Sequence, residues 1–81
     1  MRSMKGTIMG NKAFGALTQG DRFYMTISAT SVVVVVEVDN APVLRPDRKH
    51  LMLRGHDVQT GKSLNAFGKP GAHDQRKLAT N

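Results

Sequence analysis

A set of cations and three histidines are the residues in this chain that could do chemistry, and their spacing decides which chemistry. Arg45, Arg48, Lys49, Arg54, Lys62 and Lys69 crowd the stretch 45–69. Guanidinium and ammonium groups in neighbouring loops bind phosphates, and each contact adds to a salt-dependent affinity. Tyr24 and Phe67 are the side chains placed to stack on bases. The plainer use of the same cations is a solvated, solubilising surface. His56 precedes Asp57 and His73 precedes Asp74, with His50 alone. A histidine beside Arg54 and Lys49 is what RNA cleavage asks for, a proton carrier and a phosphate clamp. Adjacent residues of a strand face opposite ways, however, so His56 and Asp57 do not share a substrate unless Gly55 bulges the chain. The histidine spacing fits no standard ligand pattern and cysteine is absent, so no metal is expected. The histidines then read as surface groups that add charge at low pH. Gly68-Lys69-Pro70-Gly71 lacks the spacing and the following Ser/Thr of a P-loop. Neither a cofactor nor a small-molecule substrate is evident, and the chain reads as non-enzymatic.

The elements that must carry these residues are strands. Val32 to Val36 is an unbroken valine run, followed by Glu37 and Val38. β-branched side chains are stiff and suit a pleated strand. A run with so little alternation is expected to be central and covered on both faces, by the chain itself or by a second chain. Residues 22–29 alternate, with Phe23, Met25, Ile27 and Ala29 on one face. The short link 29–31 implies an antiparallel pair with the valine strand. Residues 39–42 are expected to end that strand, with Val43 and Leu44 in a short edge strand. Pro46-Asp47 suits a type I turn within 45–49. Residues 50–54 form a strand with Leu51 and Leu53 inward, and Gly55 is expected to mark a bulge. Residues 57–64 form a hairpin in which Gly61 takes a positive φ, and residues 63–67 return as the last strand.

At the margins, glycines 6, 10, 15 and 20 discourage a long helix. A short helical turn over 12–17 would put Phe14 and Leu17 on one side, with a strand over 7–9 as the alternative. Met4 is an alternative start. Met4, Met9, Met25 and Met52 could line an interaction face, but Met25 reads better as core and the others as loosely packed. The organisation expected is a glycine-rich segment over 1–20, a small barrel over 21–70 and a polar, frayed tail over 71–81. The fold class expected is all-β, a small antiparallel SH3-like or OB-like barrel of about five strands. Its expected core is Phe23, Met25, Ile27, Val32, Val34, Val36, Val38, Leu51, Leu53, Val58 and Leu64.

Eighty-one residues without a cysteine leave a thin stability margin and no covalent staple, which makes a homodimer through the valine strand a live option. The net charge is +6, which favours polyanionic partners. No signal peptide or membrane span is legible, so a cytoplasmic location is expected.

The stretch 34–67 resembles the second half of the KOW-type, SH3-like N-terminal domain of translation elongation factor P. The resemblance rests on Val35-Val36-Glu37-Val38, the basic turn Arg45-Pro46-Asp47-Arg48-Lys49, the strand Leu51-Met52-Leu53-Arg54, the hairpin Asp57-Val58-Gln59-Thr60-Gly61-Lys62, and Phe67. It covers under half of the chain. Where that family has a Pro-Gly-Lys tip, this chain has Pro46-Asp47-Arg48-Lys49, so no modified-lysine function carries over. The resemblance implies a small barrel and a leaning to RNA or ribosome binding. The expected function is therefore a small basic protein that contacts RNA or a ribonucleoprotein through cationic loops. The alternative is an accessory or inhibitor protein of a phage or mobile element, acting by protein docking or homodimerisation through the valine-rich strand.

Overall fold

The computed structural model describes residues 10–79. It is all-β, with six strands: β1 (Asn11–Ala13), β2 (Arg22–Ile27), β3 (Val32–Leu44), β4 (Leu51–Asp57), β5 (Ser63–Gly68) and β6 (Gln75–Lys77). A single 3-10 turn, Phe14–Ala16, separates β1 from β2. Strands β2 to β5 form an antiparallel meander and β1 pairs with β6 in a separate ribbon. The ribbon is tied to the open edge of β2 by a bridge between Leu78 and Phe23. Beside it the Ala79 N–H donates to the Arg22 carbonyl at 2.8 Å. The result is barrel-like, but no continuous ladder closes it. The expected readings on residues 1–9, the strand over 7–9, the alternative start and the packing of Met4 and Met9, lie outside the described residues.

Alternation sets the two faces. Phe23 pairs with Val36 and Met25 with Val34 across β2 and β3, and residues directly opposite share a face. Phe23, Val36, Val38, Leu53 and Ala66 are buried on the concave side. Phe14 and Leu17 are buried among them, Phe14 edge-on to Phe23 with ring centroids 6.4 Å apart. Gly55 sits mid-strand in β4 because there is no room for a side chain. A Cβ there would come 2.5 Å from the Glu37 carbonyl oxygen and 2.9 Å from a Val36 methyl.

Several expectations need correction. The bulge expected at Gly55 lies instead on the partner strand, where β3 shifts register between Val38 and Asn40 and again between Asn40 and Val43. Those shifts let β3 continue through Pro42 to Leu44 rather than stop at 39–42. The valine strand is not covered on both faces. Val33 is 58 % exposed and Val32 52 %, because β4 begins pairing only at Val36 opposite Asp57, so the outer part of the β2–β3 hairpin projects beyond it. Val32, Ile27 and Val58 are outside the buried core, Met25, Val34, Leu51 and Leu64 pack half-buried against it, and it also takes in Phe14, Leu17, Ala66 and Ala79. Residues from both sides of the boundaries drawn at 20 and 71 thus pack together. The tail expected to fray supplies β6, too short and polar to show a period. Among the described residues, no helix is long and apolar enough to cross a membrane.

Candidate nucleic-acid interface

Two loops meet at one end of β4 and β5. The first is the 45–50 turn. The Arg48 N–H donates to the Arg45 carbonyl at 2.9 Å, closing a turn with Pro46 and Asp47 at its centre. This is what the fixed φ of proline and the local bonding of aspartate favour. Asp47 is the keystone: Oδ1 accepts from the backbone N–H of Lys49 (2.8 Å) and His50 (3.1 Å), and Oδ2 meets His50 Nδ1 at 2.8 Å. These bonds, led by that from Lys49, hold its carboxyl down to about 2. Arg48 takes a left-handed φ of 60°, a strained choice for a side chain other than glycine or asparagine. The turn thereby displays Arg48 and Lys49 as exposed side chains.

The second loop, 69–74, is organised by Asp74. Its Oδ2 accepts from the Lys69 N–H at 2.8 Å, and its Oδ1 pairs with Arg76 Nε at 2.8 Å. The Arg76 bond lowers the Asp74 carboxyl below its ordinary range, against the opposing effect of partial burial. Arg76 also lies over the Phe14 ring, 4.6 Å from its centroid, and donates to the Phe67 carbonyl at 3.0 Å. The loop is thus anchored to the core.

Between the loops is Phe67, on the outer face of β5 opposite Met52 and 51 % exposed. Arg45 covers part of this ring, its guanidinium 5.2 Å from the centroid, a cation–π arrangement. A cleft of about 650 Å³ opens here, lined among others by His50, Phe67, Lys69, His73, Asp74 and Arg76. It offers an aromatic face, the bonded guanidinium of Arg76, the exposed Lys69 and two imidazoles.

The structure therefore brings together Arg45, Phe67 and Lys69, with Arg48 and Lys49 in the adjoining turn. Arg54 lies on the same outer face, paired across with Asn40 and Asn65, one side-chain row from Met52. Lys62 does not join them. It closes the 57–62 turn at the far end of β4, with its carbonyl accepting from the Asp57 N–H, roughly 20 Å away at about 3.3 Å per residue of strand. Tyr24 is on β2, opposite Val35 and 43 % exposed, near the projecting hairpin rather than the cleft. His50, His73 and Arg76 belong to the cleft; sequence reading took the two histidines as surface charge and gave Arg76 no role. The only signal for them was their nearness in sequence to Lys49 and Lys69.

A second group sits further along the outer face. Arg22, Glu37, His56 and Ser63 are directly opposite one another on β2, β3, β4 and β5. Arg22 Nε donates to Glu37 Oε1 at 2.9 Å. His56 Nδ1 lies 2.9 Å from Asp39 Oδ1, and one ligand-type atom from each of Glu37, Asp39 and His56 falls within 4.8 Å of the others. The adjacency of His56 to Asp57 is irrelevant to this group, since Asp57 spends its carboxylate on the Gln59 N–H at 2.8 Å and caps its own hairpin. Gly61 has the expected positive φ there, 78°. No protein-family model, curated protein or solved structure matches this chain.

Proposed function

We propose that this protein binds single-stranded RNA, free or within a ribonucleoprotein, through the cleft between the 45–50 and 69–74 loops. The observation that carries the proposal is the exposed Phe67 ring held under Arg45 and beside Lys69. It is an aromatic platform with phosphate-binding groups at its edge, on an open sheet face that admits a splayed strand. The net charge of +6 supports the same reading through long-range attraction. A cytoplasmic setting suits it, as does the small-barrel likeness to a ribosome-associated family.

Fluorescence anisotropy with a labelled RNA oligonucleotide across a salt series tests it. Reversing Arg48 and Lys49 to glutamate removes two phosphate contacts, so the slope of log K against log salt falls by about 1.4. Lys62→Glu, far from the cleft, leaves affinity within a few-fold. Equal losses from both variants would leave only nonspecific charge attraction.

The second reading is a protein–protein contact, homodimeric or with another chain, and a separate observation favours it. Tyr24, Val32 and Val33 are all exposed on the β2–β3 hairpin, whose outer half β4 leaves unpaired. Apolar side chains on an unpaired edge are a ready site for strand addition. Sizing in high salt discriminates: an assembly that survives supports the hairpin contact.

A further inference from the structure

We propose that the row Arg22–Glu37–His56 is a catalytic row that cleaves the bound RNA strand by transesterification. This rests on the RNA reading above and adds a reaction to it.

The row has the three groups such a cleavage needs, on three adjacent strands and one face. Glu37 is a carboxylate, with Arg22 on one of its oxygens at 2.9 Å. His56 is held by Asp39 through Nδ1 at 2.9 Å, which fixes the ring's tautomer and orientation. Among the described residues Nε2 makes no hydrogen bond. Among the described residues Arg22 bonds through Nε alone and Arg54 makes no side-chain hydrogen bond, so guanidinium nitrogens remain for a phosphate. The side chains of Arg22, Glu37 and His56 are between 27 % and 30 % exposed, reachable yet packed.

A divalent cation is the competing occupant of the Glu37–Asp39–His56 trio. Arg22 meets Glu37 at 2.9 Å and His56 meets Asp39 at 2.9 Å, so both carboxylates have partners. The row therefore suits proton transfer better than metal ligation.

The placement relative to the cleft also fits. Met52, Arg54 and His56 point outward from β4 at successive alternate positions, so the row lies about 13 Å from the Phe67–Met52 pair, four residues at about 3.3 Å each. A strand stacked on Phe67 and passing Arg54 reaches Glu37 and His56 within a few nucleotides.

The step balances without a co-reactant. The Glu37 carboxylate takes the proton of the ribose 2′-OH as the 2′-oxygen forms a bond to phosphorus. The bond from phosphorus to the 5′-oxygen breaks, and the doubly protonated His56 ring, held at Nδ1–H by Asp39, gives that oxygen its Nε2 proton and is left neutral. The products are a 2′,3′-cyclic phosphate and a 5′-OH end. Solvent then returns the proton from Glu37 and reprotonates His56. Arg22 and Arg54 hold the phosphoryl oxygens as charge builds on them, and Asp39 is a positioning residue.

The test uses the full chain, an end-labelled RNA oligonucleotide of mixed sequence, and EDTA. Expected are fragments ending in 2′,3′-cyclic phosphate by mass spectrometry and no cleavage of the all-2′-deoxy analogue. Glu37→Gln and His56→Gln each slow cleavage by about 10²-fold or more, with RNA affinity changed by only a few-fold. Binding without cleavage, in EDTA or with added Mg²⁺, overturns this inference and leaves the RNA reading standing. Cleavage that survives His56→Gln, or that extends to the deoxy analogue, overturns it as well. No binding in anisotropy overturns both. The deoxy comparison needs no variant, so a poorly folding mutant does not rescue the idea.

Discussion

Gly68 joins the core to the cleft, and Gly68→Ala measures how tightly. A Cβ at that position would fall against the Phe14 ring, 2.5 Å from one ring carbon and 2.8 Å from Asp74 Oδ2. Ordinary carbon contacts lie near 3.5–4.0 Å, so the ring or the strand must retreat by about 1 Å. Phe14 cannot give easily: it is fully buried, Phe23 meets it edge-on, and Arg76 lies over its face. Overpacking of this kind costs typically about 1–3 kcal/mol. For a domain of this size each kcal/mol lowers Tm by about 4–8 °C, so a cost of about 2 kcal/mol gives a drop of roughly 8–16 °C in a thermal melt followed by circular dichroism. The same displacement loosens Asp74 from the Lys69 N–H, so RNA affinity falls as well. Phe14→Leu alone costs about 1 kcal/mol. In the Gly68→Ala background its cost shrinks, because the smaller side chain relieves the clash, giving a coupling of about 0.5 kcal/mol or more. An unchanged melt in Gly68→Ala, or strictly additive costs, would refute the packing of Phe14 on Gly68.

Further outcomes can be checked on the same protein. Asp21, Asp47 and Asp74 all have carboxyls lowered in the folded state, so as pH falls the unfolded chain takes up protons first. Their contribution is complete above the ordinary aspartate value of 3.8 and is lost as pH falls toward about 2, the value for Asp47, so Tm declines steeply over that window. Flat melts between pH 4 and pH 2 would contradict those hydrogen bonds. Arg48→Gly relieves the left-handed φ of 60° and raises stability by up to about 1 kcal/mol while weakening RNA binding, a trade seen by pairing melts with anisotropy. Val33→Lys, at a site 58 % exposed, shifts Tm by no more than about 0.5 kcal/mol equivalent and abolishes any self-association through the hairpin in sedimentation.

The strands with a repeating pattern were legible before any coordinates. Residues 22–29 alternate, and Phe23, Met25 and Ile27 turn the same way in β2. The turns were legible for a related reason: Pro46-Asp47 and Gly61 carry backbone preferences that survive any tertiary context. The two short strands of the ribbon were not. β1 and β6 have three residues each, too few for a period, and each finds its partner strand at the other end of the chain. The valine run misled because a uniform run says nothing about which neighbour ends first. Val33 is bare because it lies on the outer face of β3, and β4, which ends at Asp57, gives it no neighbour on that side. The cleft was half legible. Arg45, Lys69 and Phe67 stood out by type, but only the register of β4 on β5 shows that their loops meet and that Lys62 is at the other end. The row of Arg22, Glu37 and His56 was invisible for the same reason, since cross-strand neighbours are a property of register.

The central claim is that RNA lies across the 45–50 and 69–74 loops and the outer face of β4. Titrating a single-stranded RNA oligonucleotide into the isotope-labelled protein and following its amide resonances tests this most directly. The account predicts the largest shift changes at residues 45–50 and 67–76, with Arg54 next, and little change at 57–62 or at the tip of the β2–β3 hairpin. Changes concentrated on residues 24–35, or spread evenly over every cation, would contradict it.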